Sequence, residues 1–179
     1  GVMRFIGSIL VAAVLLSGCA VGTTTPQIGA DGKPLPKLYR ISNGATSKIQ
    51  FRMLDSVNSL RQASGADAVE MDAPLIAAAE THSRDMSAQN RPWHFGSDGS
   101  SPIDRVRRLG YSGELVGELI SETYETELET LGAWMENSDT RAILLNKRAT
   151  NMGFAWYQES SGKIWWTLVM GAKPPVSVE

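Results

Sequence analysis

The spacing of apolar residues changes once along this chain of 179 residues, and that change limits the architectures open to it. Ile49, Met53, Val57 and Leu60 fall on one helical face, and similar three- and four-residue spacings recur as far as Leu145. From Met152 the period drops to two. Met152, Phe154 and Trp156 alternate with Gly153, Ala155 and Tyr157, and after Ser160-Ser161-Gly162-Lys163 a second run leads from Ile164 to Met170. Helices first and a hairpin last, with one further strand near Leu115 to Glu122, predict an α+β domain. Its form would be an α-β-α sandwich, with helices on both faces of a small, mostly antiparallel sheet.

The helix boundaries can be read locally. Gly65 is a stop for the first helix. Asp72 is an N-cap for a second, with Pro74 in its first turn and Leu75, Ala79, His82 and Met86 as one stripe, so that His82 points to the core. Ser101-Pro102-Ile103-Asp104 has the form of a capping box that opens a third helix, with Ile103, Val106 and Leu109 as its buried side and Gly110 as its end. Leu128, Leu131 and Met135 mark a fourth helix, and Ser138 is the expected cap of a last helical stretch through Leu145. Trp134, Trp165 and Trp166 are expected to brace the sandwich. One of the adjacent pair should face outward if the two lie on a strand.

The N-terminal part has another character. Met3-Arg4 precedes an apolar run from Phe5 to Leu16, the length of a signal-peptide core and short for a membrane span. It ends Leu16-Ser17-Gly18-Cys19, which resembles a bacterial lipobox and implies cleavage before Cys19 and acylation of its thiol. Residues 1–18 are therefore expected to be a lipoprotein signal peptide, and 19–47 the lipidated cysteine and a flexible tether rich in Thr, Gly and Pro. The folded domain would span 48–173, with 174–179 as a tail. Cys19 is the only cysteine, so no internal disulfide can form. With 17 basic and 19 acidic residues the net charge is -2, so no broad positive field would hold nucleic acid.

Within the domain, short motifs follow one another: Thr81-His82-Ser83-Arg84-Asp85-Met86, Trp93-His94, Asp98-Gly99, Gly117-Glu118, and Trp134 to Arg141. In order and spacing they resemble the bacterial branch of the CAP superfamily, the SCP-like fold of cysteine-rich secretory, antigen 5 and pathogenesis-related proteins. The resemblance covers about Ile49 to Gly171 and implies the same α-β-α sandwich. It also implies a cleft with two His and two acidic residues, which binds a divalent metal such as zinc in several members. His94 matches the first cleft His and Glu118 the Glu of the family's Gly-Glu-Asn. Asp98 stands where a second acid would, although an Asp-Gly pair also suits a tight turn.

Three positions depart from the pattern. Thr140 replaces the second His, Leu119 the Asn, and Leu168 a Gln of the last strand. A hydroxyl is a poor zinc ligand, so any metal would rest weakly on His94 and Glu118. A serine hydrolase is disfavoured, because no Gly-x-Ser-x-Gly elbow is present and Ser97, Ser100 and Ser101 suit turns and caps. The preferred expectation is a membrane-anchored extracytoplasmic lipoprotein of the cell envelope, on the outer-membrane side since no Asp follows Cys19. Its cleft of His94, Asp98, Glu118 and Thr140 would bind a lipid, glycan or envelope-protein ligand without catalysis. The alternatives are a metal-assisted hydrolase or peptidase using His94 and Glu118, and a plain structural spacer.

Overall fold

The computed structural model describes residues 27–35 and 37–177. The signal peptide and Cys19 expected from the sequence lie outside these residues. Among the described residues no helix is long and apolar enough to cross a membrane. The chain divides into two compact units, Gly1–Lys37 and Leu38–Glu179. In the first, Ile28 pairs with Pro34 across a short turn. The second contains both apolar cores described below, so it holds what it needs to fold alone. It begins ahead of the boundary at 48 expected from the sequence. Tyr39 and Ile41 pack on the core, the Tyr39 hydroxyl donates to Glu127 at 2.7 Å, and the Ile41 amide donates to the Gln158 side chain at 2.9 Å.

Five helices and four strands follow in order: α1 (Thr46–Ala63), β1 (Glu70–Met71), α2 (Ala73–Gln89), α3 (Pro102–Arg108), β2 (Glu114–Thr123), α4 (Glu127–Glu136), α5 (Ser138–Leu144), β3 (Asn151–Gln158) and β4 (Ile164–Ala172). The sheet runs β1-β3-β4-β2. β4 is antiparallel to both β3 and β2, and β1 adds a parallel pair at Glu70↔Asn151 and Met71↔Met152. β1 escapes sequence reading because two residues carry no period.

Side chains of a strand alternate between faces, and here both faces are covered. Phe154, Leu168 and Met170 join α1, α4 and Leu144 of α5 in one core. Ala155 and Val169, their neighbours in sequence, join α2 and Val106 of α3 in the other. Trp165 and Trp166 are therefore both fully buried, which corrects the expectation of an outward-facing tryptophan. Trp166 stacks on Phe154 with ring planes 6° apart, and the Trp165 indole N–H donates to Glu159 at 2.8 Å on the opposite face. α2 lies so close to β3 that a Cβ at Gly153 would collide with the backbone of Leu75 and Ile76.

The caps follow the sequence with one exception. Asp72 accepts from the Leu75 amide, and Ser101 with Asp104 forms a full capping box. The cap of α5 is Asn137 rather than Ser138, its side chain accepting from the Asp139 and Thr140 amides. On α3 the buried residues are Arg105 and Val106, while Ile103 and Leu109 stay 46% and 39% exposed. The short helix meets the sheet along one turn only, and a guanidinium occupies part of the face that a period of apolar residues would assign to Leu109.

A buried arginine ties distant parts of this unit together. Arg61 is fully buried in α1. It donates to the carbonyls of Asp67, Leu144 and Asn146 and Ala149. The guanidinium thus joins α1 to the end of α5 and to the turn that enters β3. Burial lowers its pKa from the ordinary arginine value.

Candidate functional site

The site lies where the middle of β2 meets α2, α3 and the loop between them. Gly117 is needed on β2 because a Cβ there would stand 2.6 Å from Ile143 of α5. The next residue points to the other face. Glu118 enters among α2, α3 and the 93–100 segment with its side chain 2% exposed. Its Oε2 accepts from Arg105 Nη2 at 2.8 Å, and its Oε1 accepts from His94 Nδ1 at 2.9 Å. His82 Nε2 lies 3.5 Å from Oε1. Arg105 also donates to the carbonyls of Ser100 at 3.1 Å and His94 at 2.8 Å. One guanidinium therefore fixes both the carboxylate and the loop that carries His94.

Hydrogen-bond partners define the ring tautomers. A carboxylate can only accept, so Nδ1 of His94 carries a proton; the side chain is 49% exposed. His82 Nε2 lies 2.8 Å from the Trp93 carbonyl oxygen and must donate to it. Its Nδ1 is then a bare acceptor, and it has no partner among the described residues. The ring is completely buried. Burial, more than any charge nearby, lowers the His82 pKa, with Arg105 adding to the effect while Glu118, the Trp93 carbonyl and Asp85 oppose it. The ring is neutral near pH 7.

The loop is pinned from α2. Asp85 accepts from the Ser97 amide at 2.7 Å and from Gln89 at 3.0 Å. Gly96 and Ser100 close a turn, Gly96 N to Ser100 O at 2.8 Å. Gly99 adopts φ +80°, in the left-handed region where glycine has no steric cost. Asp98 accepts from the Ser100 amide and from Arg108 at 2.9 Å; hydrogen bonds from Ser100 and Arg108 hold its carboxyl well below the usual carboxylate range. It is a turn and ion-pair residue, not a neighbour of Glu118. Between α2, this loop and α3 lies a cavity of about 240 Å³.

Of the four cleft residues expected from the sequence, the fold brings His94 and Glu118 into contact, places Asp98 in the wall of the adjoining cavity and turns Thr140 elsewhere. Thr140 donates its hydroxyl to the Trp134 carbonyl and lies at the α4–α5 corner. Arg105, the residue that holds Glu118, belongs to none of the sequence motifs. It sits among Arg105, Arg107 and Arg108, which read as an ordinary basic end of a helix. Its only signal is its place beside Val106, one turn after the Ser101 cap. Among the described residues no group of three or more His, Cys, Asp and Glu is arranged to hold a metal ion. A zinc ion needs about three or four protein ligands. Here the carboxylate is already bound to a guanidinium, the His82 Nε2 proton is spent on a carbonyl, and Thr140 is turned away. The residues present do not fit zinc. His94 has the orientation of a general base, yet among the described residues no hydroxyl or thiol hydrogen-bonds to its ring.

Comparison with known proteins agrees with the fold. The uncharacterized protein YkwD of Bacillus subtilis (strain 168) is 29% identical over 121 residues, covering 68% of this chain and 46% of that protein. The chain thus spans less than half the length of that relative. An outer surface protein of Borrelia burgdorferi has the same fold, with a TM-score of 0.66 at 17% identity, over 77% of this chain and all of that one. An extracellular protein with an SCP domain from Bacillus anthracis gives a TM-score of 0.66 at 21% identity, over 75% of this chain and 45% of that one. The sequence model described as the cysteine-rich secretory protein family, CAP, matches residues 54–170, and the chain belongs to that family.

Proposed function

We propose that this protein is an extracytoplasmic CAP-domain binding module that works without metal or covalent chemistry. The observation that carries the reading is the engagement of Glu118. Buried and hydrogen-bonded to Arg105 and His94, it serves as the keystone of the α2–α3 corner rather than as a free base or metal ligand. Two of the relatives named above are an extracellular protein and an outer surface protein, which suits a domain working outside the cytoplasm. Acylation at Cys19, the sole cysteine, would hold it to a membrane of the cell envelope, and residues between the anchor and Leu38 would give it reach.

Zinc titration of residues 38–179 by calorimetry, with His94→Ala beside it, tests this. No specific heat is expected. Micromolar or tighter binding that vanishes in the variant would refute the reading and favour a metal-assisted hydrolase at His94 and Glu118. Anchoring is tested separately by labelling with a palmitate analogue: label and membrane association should be lost in Cys19→Ser.

A further inference from the structure

The outer edge of β3 carries backbone groups that no strand covers. β3 and β4 stay in one register from Asn151 to Gln158, and just beyond it the Glu159 amide donates to the Lys163 carbonyl at 2.8 Å. Bonded and non-bonded positions alternate along an antiparallel pair. Tyr157 and Ala155 are therefore bonded to β4, whereas Gln158, Trp156 and Phe154 turn their N–H and C=O groups to the other side. Two contacts fix that direction independently: the Met152 carbonyl accepts from the Asp72 amide at 3.0 Å, and the Phe154 carbonyl accepts from the Gln50 side chain at 2.9 Å. β1 ends at Met71, opposite Met152. Beyond it, the N–H and C=O groups of Trp156 and Gln158 face outward with no hydrogen-bond partner among the described residues.

This edge is the floor of a groove of about 440 Å³. One wall is formed by Ile41, Thr46 and Gln50, the other by Glu80 and Arg84 of α2. Trp156 and Ile41 border the core on the α1 side. Tyr157 faces the α2 side, with the Arg84 guanidinium 5.2 Å from its ring centre and Glu80 3.5 Å from Arg84. The incoming chain closes one end without using the edge, because the Tyr39 carbonyl and the Ile41 amide bond to the Gln158 side chain instead.

A row of backbone donors and acceptors at strand spacing is matched by another backbone in extended form. A sugar or a lipid headgroup lacks that repeat. An anion would meet Glu80 and Glu159 as well as Arg40 and Arg84. A second copy offers the same edge, but each edge lies between helical walls, and two recessed floors do not meet. We infer that the outer edge of β3 takes up an extended peptide of a partner protein by strand addition, paired with the backbone of Trp156 and Gln158. The peptide residue opposite Trp156 lies on the α1 side and is apolar; its two neighbours turn to Tyr157, Arg84 and Glu80 and are polar. The site shares no residue with the Glu118 corner and goes beyond the binding-module reading by naming a protein partner.

The test is an NMR titration of residues 38–179 with the blocked pentapeptides Ser-Thr-Φ-Thr-Ser, in which Φ is isoleucine, phenylalanine, leucine or glycine. The Trp156 and Gln158 amides should shift saturably, and their hydrogen exchange should slow by about tenfold or more once a strand covers them. The glycine peptide should bind more weakly than the other three. Trp156→Pro would delete the N–H but endanger the core, so the backbone control is placed in the peptide. Strand bonds alternate, so N-methylation of Φ alone, or of the two threonines alone, should abolish binding in one case and spare it in the other. Binding that survives both methylations, or the absence of a saturable shift with any peptide, would overturn the inference. So would two results without peptide: shifts of Trp156 and Gln158 that follow protein concentration, which would assign the edge to a second copy, or the same shifts in residues 20–179, which would assign it to the preceding segment of this chain. Tight zinc binding at His94 would refute the binding-module reading and leave the peptide result standing.

Discussion

Replacing Arg105 by methionine isolates the energetics of the α2–α3 corner. The substitution keeps much of the apolar stem and removes the charge, so Glu118, with its side chain 2% exposed, becomes a buried carboxylate without its cationic partner. Removing one member of a buried pair costs about 3–5 kcal/mol, mostly the penalty of the charge left behind. The carbonyls of Ser100 and His94 also lose their donor, which places the cost in the upper half of that range. With a urea m-value of about 2 kcal/mol/M, the midpoint for residues 38–179 should fall by about 2 M, as followed by tryptophan fluorescence. The double variant Arg105→Met with Glu118→Met removes the abandoned charge as well. It should recover about 2 kcal/mol or more relative to the single variant, since residues in contact couple by up to about 3 kcal/mol. A loss below about 1 kcal/mol in the single variant, set against the cost expected of a broken buried pair, would refute the account of Glu118 as a structural keystone. A double variant less stable than the single would refute it equally.

Three further outcomes follow from other parts of the molecule. Burial keeps His82 neutral in the folded state, whereas in the unfolded chain it takes up a proton as pH falls through about 6.5. Its contribution to stability should therefore be complete above that value and be lost progressively as pH falls below it; urea midpoints measured above and below that pH should differ in the native chain, and His82→Gln should flatten that part of the profile. Gly153→Ala drives a methyl group into the α2 backbone, so the helix must shift; an overpacking cost of about 1–3 kcal/mol should lower the melting temperature by about 3–10 °C in a calorimetric scan. Arg61→Met leaves four carbonyls without their donor, and hydrogen exchange should show amides of the 144–150 segment losing protection before those of β3 and β4; uniform loss across the unit would contradict a local tie.

The sequence carries the elements well where one local cause is enough. Asp72 before Pro74, the Ser101 box and the alternation around Phe154 each depend on a few neighbouring residues, and each is found in the structure. It fails where a partner far along the chain decides. β1 exists only because Glu70 and Met71 meet β3, and both adjacent tryptophans are buried because helices cover both sides of β4. The site divides in the same way. His94 and Glu118 are legible as a motif. That Arg105 holds Glu118, that Asp98 turns to Arg108, and that Thr140 caps onto Trp134 are matters of side-chain direction across elements, which spacing in one strand or helix does not encode.

The tie made by Arg61 bears on where the domain can acquire its shape. A bridge of sulfurs forms only where an oxidant accepts electrons, and thiols can undo it. Four carbonyls gathered on a guanidinium involve no electron transfer, and the unit from Leu38 onward contains no cysteine at all. Its folding is therefore independent of redox potential. It should reach the same structure in a reducing compartment as outside the cell, and dithiothreitol should leave its unfolding curve unchanged.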